Sequence, residues 1–210
     1  MLLSSITDEI SGDFPRALSV CREIQINTVE LRVIDGKNIV FHDQTSIQHI
    51  QTLLQESGLR VCAIASPFLK CAFDGDASGT LAVAAPGLVP EWEILQRSFE
   101  IAHFFGAPFV RTFSFLRVAD PTSVRPSLLE IIGEAVRRTE QAGLKLVIEN
   151  EHACNVATGA ETGWLLQRLP SPAFGVTWDP GNEAVLGSQA FPDGYEHVRG
   201  RVLHMHVKDV

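Results

Sequence analysis

Two carboxylates and one imidazole recur at nearly equal intervals in the C-terminal part of the chain. Glu149 precedes Asp179 by 30 residues, and Asp179 precedes His206 by 27 residues. Oxygen and nitrogen ligands of this kind suit Mn²⁺, Mg²⁺, Co²⁺ or Zn²⁺, with positions left open for substrate oxygens. Each interval is close to one strand–helix unit, so the three side chains should project from equivalent levels of successive strands. The sequence therefore predicts that Glu149, Asp179 and His206 bind a divalent metal.

Two neighbouring residues could compete for the same role. His204 lies two positions before His206, so both side chains face the same side of a strand. We favour His206 as the ligand because it is nearer the carboxyl end, and we expect His204 to be buried or to support the ligands. Glu151 shares a face with Glu149 only if the strand continues, and we expect the chain to have turned before it.

Further charged and polar residues gather at the carboxyl ends of the predicted strands, the face on which parallel barrels build their active sites. Lysine and arginine there could bind hydroxyl, carboxylate or phosphate groups of a substrate, although each could instead form a structural salt bridge. Two of the residues could simply pair with each other, namely Glu30 and Arg32. The predicted substrate-binding residues are Glu30, Arg32, Lys70, Arg111, His152, Asn182 and Lys208.

Short apolar runs predict the strands that must position these side chains. Near-continuous apolar runs are typical of parallel strands covered on both faces. The predicted strands are Leu2–Ile6, Thr28–Val33, Arg60–Ala65, Phe109–Phe113, Lys145–Ile148, Phe174–Trp178 and Val202–Val207. Helical periodicity lies between them, over Asp13–Ile24, Thr45–Ser57, Glu91–Phe105, Ser127–Ala142 and Thr162–Leu169.

This alternation predicts an α/β protein with right-handed crossovers and a single domain over residues 1–210. A doubly wound open sheet and a (β/α)₈ barrel both fit seven strands, but no GxGxxG or GxxxxGK[ST] motif follows a strand, which weakens the nucleotide-binding version. A complete TIM barrel takes about 250 residues. We therefore expect an incomplete (β/α) barrel of seven strands, with the eighth βα unit missing from this chain.

The composition of the chain disfavours several classes of function. The 25 acidic and 17 basic residues give a net charge of −8, which disfavours nucleic acid as a partner. No run of 18 apolar residues and no basic leader is present, which disfavours a membrane span and a secretory signal. The four cysteines form no CxxC pair and are expected to be free thiols, consistent with a cytoplasmic location.

Several segments resemble the xylose isomerase-like TIM-barrel superfamily, which includes tagatose/psicose 3-epimerases and inosose dehydratases. The resemblance covers the whole chain. It rests on Val147-Ile148-Glu149-Asn150, Trp178-Asp179-Pro180-Gly181-Asn182, His204-Met205-His206-Val207-Lys208-Asp209, Thr7-Asp8-Glu9-Ile10-Ser11 and Val29-Glu30-Leu31-Arg32.

The resemblance implies a particular site and chemistry. The family places one divalent metal on a Glu, an Asp, a His and a second Glu, and the first three correspond to Glu149, Asp179 and His206. It implies an isomerase, epimerase or dehydratase that acts on a sugar, sugar phosphate or cyclitol through an enediolate, with Glu149 as the catalytic base. The second Glu of the family belongs to the eighth strand, so of the two proton-exchanging glutamates only Glu149 is present here.

Two alternatives remain open at this stage. The chain could be a catalytically inert or truncated barrel fragment, whose open sheet edge would favour self-association into a homo-oligomer. It could also be a nuclease of the AP-endonuclease type. That chemistry uses many histidines, whereas strand three here ends in Ala65-Ser66-Pro67 and Asn182 stands where a histidine would be expected.

Overall fold

The structure, a computed structural model, describes residues 2–75 and 81–209. Its strands are β1 Ser5–Ile6, β2 Thr28–Leu31, β3 Val33–Ile34, β4 Lys37–Asn38, β5 Arg60–Ile64, β6 Phe109–Thr112, β7 Lys145–Glu149, β8 Phe174–Trp178 and β9 Val202–Met205. Seven of them form a sheet in the order β1-β2-β5-β6-β7-β8-β9. The pairs β1–β2, β2–β5, β5–β6, β7–β8 and β8–β9 are parallel. The predicted α/β fold with seven strands is confirmed.

Seven α-helices lie between these strands in the described part of the chain. They are α1 Thr7–Ile10, α2 Phe14–Glu23, α3 Gln44–Ser57, α4 Val89–Phe105, α5 Arg125–Gln141, α6 Gly159–Arg168 and α7 Pro180–Val185. Three shorter helical turns span Ile39–Phe41, Pro86–Leu88 and Ala190–Gly194. Among the described residues, no helix combines the length and the apolar composition that crossing a membrane requires.

The contacts divide the chain into two compact units, so the prediction of a single domain stays a prediction. The first unit comprises residues 1–66 and 96–110, and the second comprises 67–95 and 111–210. The core of the first unit is aliphatic, with Leu18, Leu31, Ile39, Ile47 and Ile64 fully buried. The core of the second unit is more aromatic, with Phe68, Phe113, Phe115, Phe174 and Trp178.

The register of the last three strands brings the predicted ligands to one level. Glu149, the last residue of β7, lies opposite Thr177 in β8, and Trp178 lies opposite Met205 in β9. Asp179 therefore follows the end of β8, and His206 follows the end of β9. All three side chains leave the carboxyl ends of neighbouring strands, as their spacing predicted.

Local sequence explains how these elements begin. The Thr158 side chain accepts a hydrogen bond from the Glu161 backbone N–H, and the Glu161 carboxylate accepts one from Thr158 in return. This capping box satisfies backbone donors at the start of α6. Asp179 caps α7 in the same way, because its Oδ1 accepts a 3.0 Å hydrogen bond from the Asn182 backbone N–H.

Sequence periodicity missed the shortest elements. The β3–β4 hairpin has two residues in each strand, and α1 and α7 have four and six residues. Such short segments do not complete enough turns or alternations to show a period. Four predicted strands end one or two residues late and one ends one residue early, Leu2–Ile6 begins three residues early, and Phe174–Trp178 is exact.

Gly159 offers a test of the packing around α6. A Cβ atom at this position would overlap the Gly194 carbonyl group, whereas one at Gly200 would meet open space. We expect Gly159→Ala to lower the free energy of unfolding by about 1–3 kcal/mol, the usual cost of overpacking. Gly200→Ala is the matched control and should change it by less than about 0.5 kcal/mol. Urea unfolding measures both, and an equal stability of the two variants would contradict this packing.

Candidate metal centre

The three predicted ligands converge within the second unit. Glu149, Asp179 and His206 each offer one ligand atom, and these atoms all lie within 4.8 Å of one another. The side chains of Glu149 and Asp179 are buried, and that of His206 is 11% exposed. Two buried carboxylates so close together repel each other unless cations compensate their charge. The structure supplies such compensation at each carboxylate.

Arg111 compensates Glu149. Its Nη1 donates to Glu149 Oε2 at 2.9 Å, and both side chains are buried. The other carboxylate oxygen, Oε1, lies 3.4 Å from His206 Nδ1 and accepts a 3.4 Å hydrogen bond from Asn182 Nδ2. One oxygen of Glu149 is thus held by the guanidinium, and the other faces the remaining site residues.

Asp179 is fixed at both its backbone and its side chain. The Asn150 amide donates to the Asp179 carbonyl at 2.8 Å and accepts from the Asp179 N–H at 2.7 Å. Asp179 Oδ1 caps α7, as described above, and Oδ2 lies 2.9 Å from Lys208 Nζ. These contacts leave the carboxylate little freedom, which is what a preorganised ligand requires.

Asn182 connects Lys208 to this cluster. Its Oδ1 accepts a 2.9 Å hydrogen bond from Lys208 Nζ and lies 3.0 Å from His152 Nδ1. Lys208 therefore contacts both Asn182 and Asp179. Three predicted substrate-binding residues, His152, Asn182 and Lys208, thus adjoin the ligand cluster through hydrogen bonds.

Lys70 and Arg111 border one aromatic ring. Lys70 Nζ lies 4.4 Å from the ring centroid of Phe113, and the Arg111 guanidinium carbon lies 4.6 Å from it. Such cation–π contacts hold each charge against an apolar surface. Lys70 also donates to Glu151 Oε2 at 2.9 Å, so its position depends on that carboxylate.

Glu30 and Arg32 lie in the first unit. Arg32 forms a 2.7 Å ion pair with Asp8 and a 3.0 Å ion pair with Glu9. These two carboxylates of the short helix α1 hold the guanidinium, and a pairing of Arg32 with Glu30 stays a prediction. Glu30 is buried, and substrate binding by Glu30 and Arg32 stays a prediction.

Two neighbours of Glu149 contribute more than the sequence indicated. Asn150 holds the Asp179 backbone, and Glu151 contacts both Lys70 and His152. The run of four polar residues from Glu149 to His152 after a buried strand was the available signal, but it did not reveal their partners. The chain turns after Glu149, as expected. The His204 ring packs edge-on against the His206 ring, with 5.4 Å between the ring centroids.

The model of the xylose isomerase-like TIM barrel family matches residues 18–210. The chain belongs to the xylose isomerase-like TIM barrel family. The motifs around Glu149, Asp179 and His206 all lie inside the matched range. The resemblance seen in the sequence is thereby confirmed at the level of the superfamily.

Several solved structures share the fold at low sequence identity. A probable 3-DHS dehydratase, AsbF, from Bacillus anthracis has a TM-score of 0.77 and 16% identity, covering 100% of this chain and 74% of the other. A D-allulose 3-epimerase from Methylomonas sp. has a TM-score of 0.74 and 15% identity, covering 99% of this chain and 73% of the other. A xylose isomerase-like TIM barrel protein from Mycobacterium smegmatis in complex with magnesium has a TM-score of 0.73 and 16% identity, covering 99% of this chain and 74% of the other. A search of curated proteins found no match.

The ligand chemistry of the cluster fits a divalent ion. Two carboxylate oxygens and one imidazole nitrogen form a mixed oxygen and nitrogen set, which suits magnesium, manganese, cobalt or zinc. Asp179 is buried beside the Glu149 carboxylate, and a bound dication would reduce the repulsion between these two charges. The residues present therefore fit a metal, and the set does not select one ion among these.

Asn150 should control metal affinity through Asp179. We expect Asn150→Ala to weaken Mn²⁺ binding by about 10- to 100-fold, the usual effect of removing a group that orients a ligand. Titration calorimetry measures the affinity, with Asn27→Ala, an exposed asparagine of the first unit, as the matched control. Unchanged affinity in a folded Asn150→Ala protein would show that this amide does not position the ligand.

Glu183 makes the stability of the second unit depend on pH. The Glu183 carboxylate, on α7, is buried and accepts a hydrogen bond from the Gly159 backbone N–H. Burial raises the pKa of this carboxyl group. The folded state then binds this proton more tightly than the unfolded state does, so stability rises as pH falls from 7 toward the ordinary value of about 4.5.

Glu183→Gln should remove this contribution. Relative to the unsubstituted protein, the variant should be more stable at pH 7, and its advantage should shrink by pH 5. Urea unfolding at the two pH values gives the difference directly. A variant whose relative stability does not change with pH would contradict the effect of burial on Glu183.

Proposed function

We propose that this protein is a divalent-metal-dependent isomerase or epimerase, or a related dehydratase, acting on a sugar, sugar phosphate or cyclitol through an enediolate. The observation that carries the proposal is the convergence of Glu149, Asp179 and His206 at the carboxyl ends of three neighbouring strands. The similarity to an epimerase and a dehydratase of the same fold supports this reaction class. A small carbohydrate is the expected substrate, and the cytoplasmic location and self-association stay predictions.

Glu149, Asp179 and His206 would hold the metal. When bound, a divalent ion supplies Lewis acidity, which polarises a carbonyl group and makes the neighbouring C–H bond more acidic. Asn150 would keep Asp179 in place, and Asn182 would do the same for Glu149 Oε1. These supporting contacts make the ligand set rigid before a substrate arrives.

Glu149 is the proposed catalytic base. Its Oε2 is paired with Arg111, so Oε1 is the oxygen that would accept a proton from the carbon next to the substrate carbonyl. The guanidinium orients the carboxylate in its buried position. Removing Arg111 would leave that charge unpaired, and breaking a buried pair commonly costs about 3–5 kcal/mol.

The substrate hydroxyls would be bound by the surrounding donors. Lys208 and Lys70 are each about 40% exposed, so their ammonium groups can reach a ligand in solvent while keeping a carboxylate partner. Asn182 and Arg111 add donors from buried positions. Several donors of this kind suit a polyhydroxylated molecule, whose oxygens need as many hydrogen bonds as its shape offers.

Proton exchange and metal binding test this proposal together. In D₂O with Mn²⁺, the protein should catalyse exchange of the hydrogen next to the carbonyl of at least one of three probes, D-fructose, D-fructose 6-phosphate and myo-inosose, as followed by NMR. Glu149→Gln and Asp179→Asn should each lose Mn²⁺ affinity by more than about 100-fold and abolish exchange.

The exposed Glu196, which pairs with Arg199, supplies the control variant Glu196→Gln. This control should bind Mn²⁺ and exchange the probe like the unsubstituted protein. If both ligand variants retain full Mn²⁺ content, the assignment of the metal centre fails.

A further inference from the structure

His152 has two partners at one ring nitrogen. Its Nδ1 lies 2.9 Å from Glu151 Oε1 and 3.0 Å from Asn182 Oδ1. A neutral imidazole carries its proton on only one of its two nitrogens, and the partners of each nitrogen decide which one. The identity of these two partner atoms therefore determines the tautomer of His152.

The orientation of the Asn182 amide follows from its other contacts. Lys208 Nζ can only donate, so the atom that it contacts at 2.9 Å must be the Asn182 carbonyl oxygen. The amide nitrogen then points to Glu149 Oε1, an acceptor, at 3.4 Å. The atom that faces His152 is thus an acceptor, and the Glu151 carboxylate is an acceptor as well.

Nδ1 must therefore carry a proton, so that in the neutral ring Nε2 carries the lone pair. Within residues 2–75 and 81–209, His152 has no hydrogen bond or ion pair besides these two contacts at Nδ1. Its side chain is 44% exposed, so Nε2 can meet a molecule that enters from solvent. An imidazole oriented by a carboxylate at Nδ1, with a basic Nε2, is the arrangement of a general base.

We infer that Glu151 and His152 form a dyad in which His152 is the second proton-exchanging group of the proposed reaction. This inference rests on the proposed function and adds a residue to it. Glu149 alone cannot serve both faces of a substrate, because its Oε2 is held by Arg111. Asn182 touches Glu149 with its nitrogen and His152 with its oxygen, so the two groups lie on either side of one amide.

The step balances within the dyad and the substrate. The C–H bond next to the carbonyl breaks, its proton forms a bond to His152 Nε2, its electron pair becomes the C=C bond of the enediolate, and the carbonyl π electrons move onto the carbonyl oxygen. The imidazolium that results is neutralised by Glu151. For an isomer, Nε2 returns this proton to the neighbouring carbon while the hydroxyl proton passes from one oxygen to the other. For an epimer, Glu149 Oε1 takes a proton from water and delivers it to the other face of the same carbon, and His152 releases its proton to water.

Glu151 is a positioning residue in this arrangement. Its Oε1 accepts from His152, and its Oε2 accepts from Lys70 Nζ at 2.9 Å, so each oxygen has one partner. Lys70 is itself held against the Phe113 ring. The carboxylate is therefore held through its second oxygen, which keeps Oε1 directed at Nδ1.

Two measurements test the dyad. The first is the tautomer of His152 in ¹⁵N-labelled, metal-free protein, from long-range ¹H–¹⁵N correlations, with His152→Gln used to assign the signals. We expect a protonated Nδ1 and an unprotonated Nε2. Glu151→Gln should shift part of the population to the other tautomer, which a purely structural role for Glu151 would not do.

The second measurement is deuterium exchange into the three carbonyl probes with Mn²⁺ bound. His152→Gln should lower the exchange rate by about 100-fold or more, with Mn²⁺ affinity and probe KM little changed. Glu151→Gln should lower kcat by a smaller factor. His49→Gln, an exposed histidine on α3, is the matched control and should exchange normally.

The outcomes separate the two proposals. If the unsubstituted protein exchanges a probe and His152→Gln exchanges it equally fast, the dyad is wrong and the proposed function stands. A proton found on Nε2 in the metal-free protein also overturns the dyad. If the unsubstituted protein exchanges none of the probes, the proposed function and the dyad fall together.

Discussion

Burial of the Glu149 carboxylate is the constraint on which the second unit depends. An ionised carboxylate removed from water costs several kcal/mol unless cations and hydrogen bonds replace the lost solvent. Arg111 provides the cation at 2.9 Å, and Asn182 adds a hydrogen bond at 3.4 Å. The same arrangement leaves one oxygen of Glu149 facing His206, so the compensation of a charge and the arrangement of the candidate ligands are one structural solution.

The rest of the site extends this principle of paired charges. Each cation of the site has a carboxylate partner, Lys208 with Asp179, Arg111 with Glu149 and Lys70 with Glu151. Charges balanced in this way lower the cost of burying the carboxylates and orient the donors before a ligand arrives. A polyol that needs many weak hydrogen bonds suits such a site, since preorganised donors lose little entropy on binding.

Backbone positioning is as important as the side-chain contacts. Asp179 caps a helix, and its backbone is bound at both polar groups by Asn150. Asp179 therefore moves only if the start of α7 moves with it. Glu183, in the first turn of α7, accepts a hydrogen bond from Gly159 at the start of α6, so a second buried group holds this short helix in place.

The sequence by itself determined the strands, the longer helices and the grouping of Glu149, Asp179 and His206. Apolar runs and helical periods are local properties, and the near-equal spacing of the ligands needs only the length of one strand–helix unit. Only the tertiary structure decided which charges pair. Arg32 bonds to Asp8 and Glu9, and Lys70 reaches Glu151 across 81 residues. The tautomer of His152 depends on Asn182 and Lys208 in the same way, because hydrogen-bond partners come together through folding and leave no local pattern in the chain.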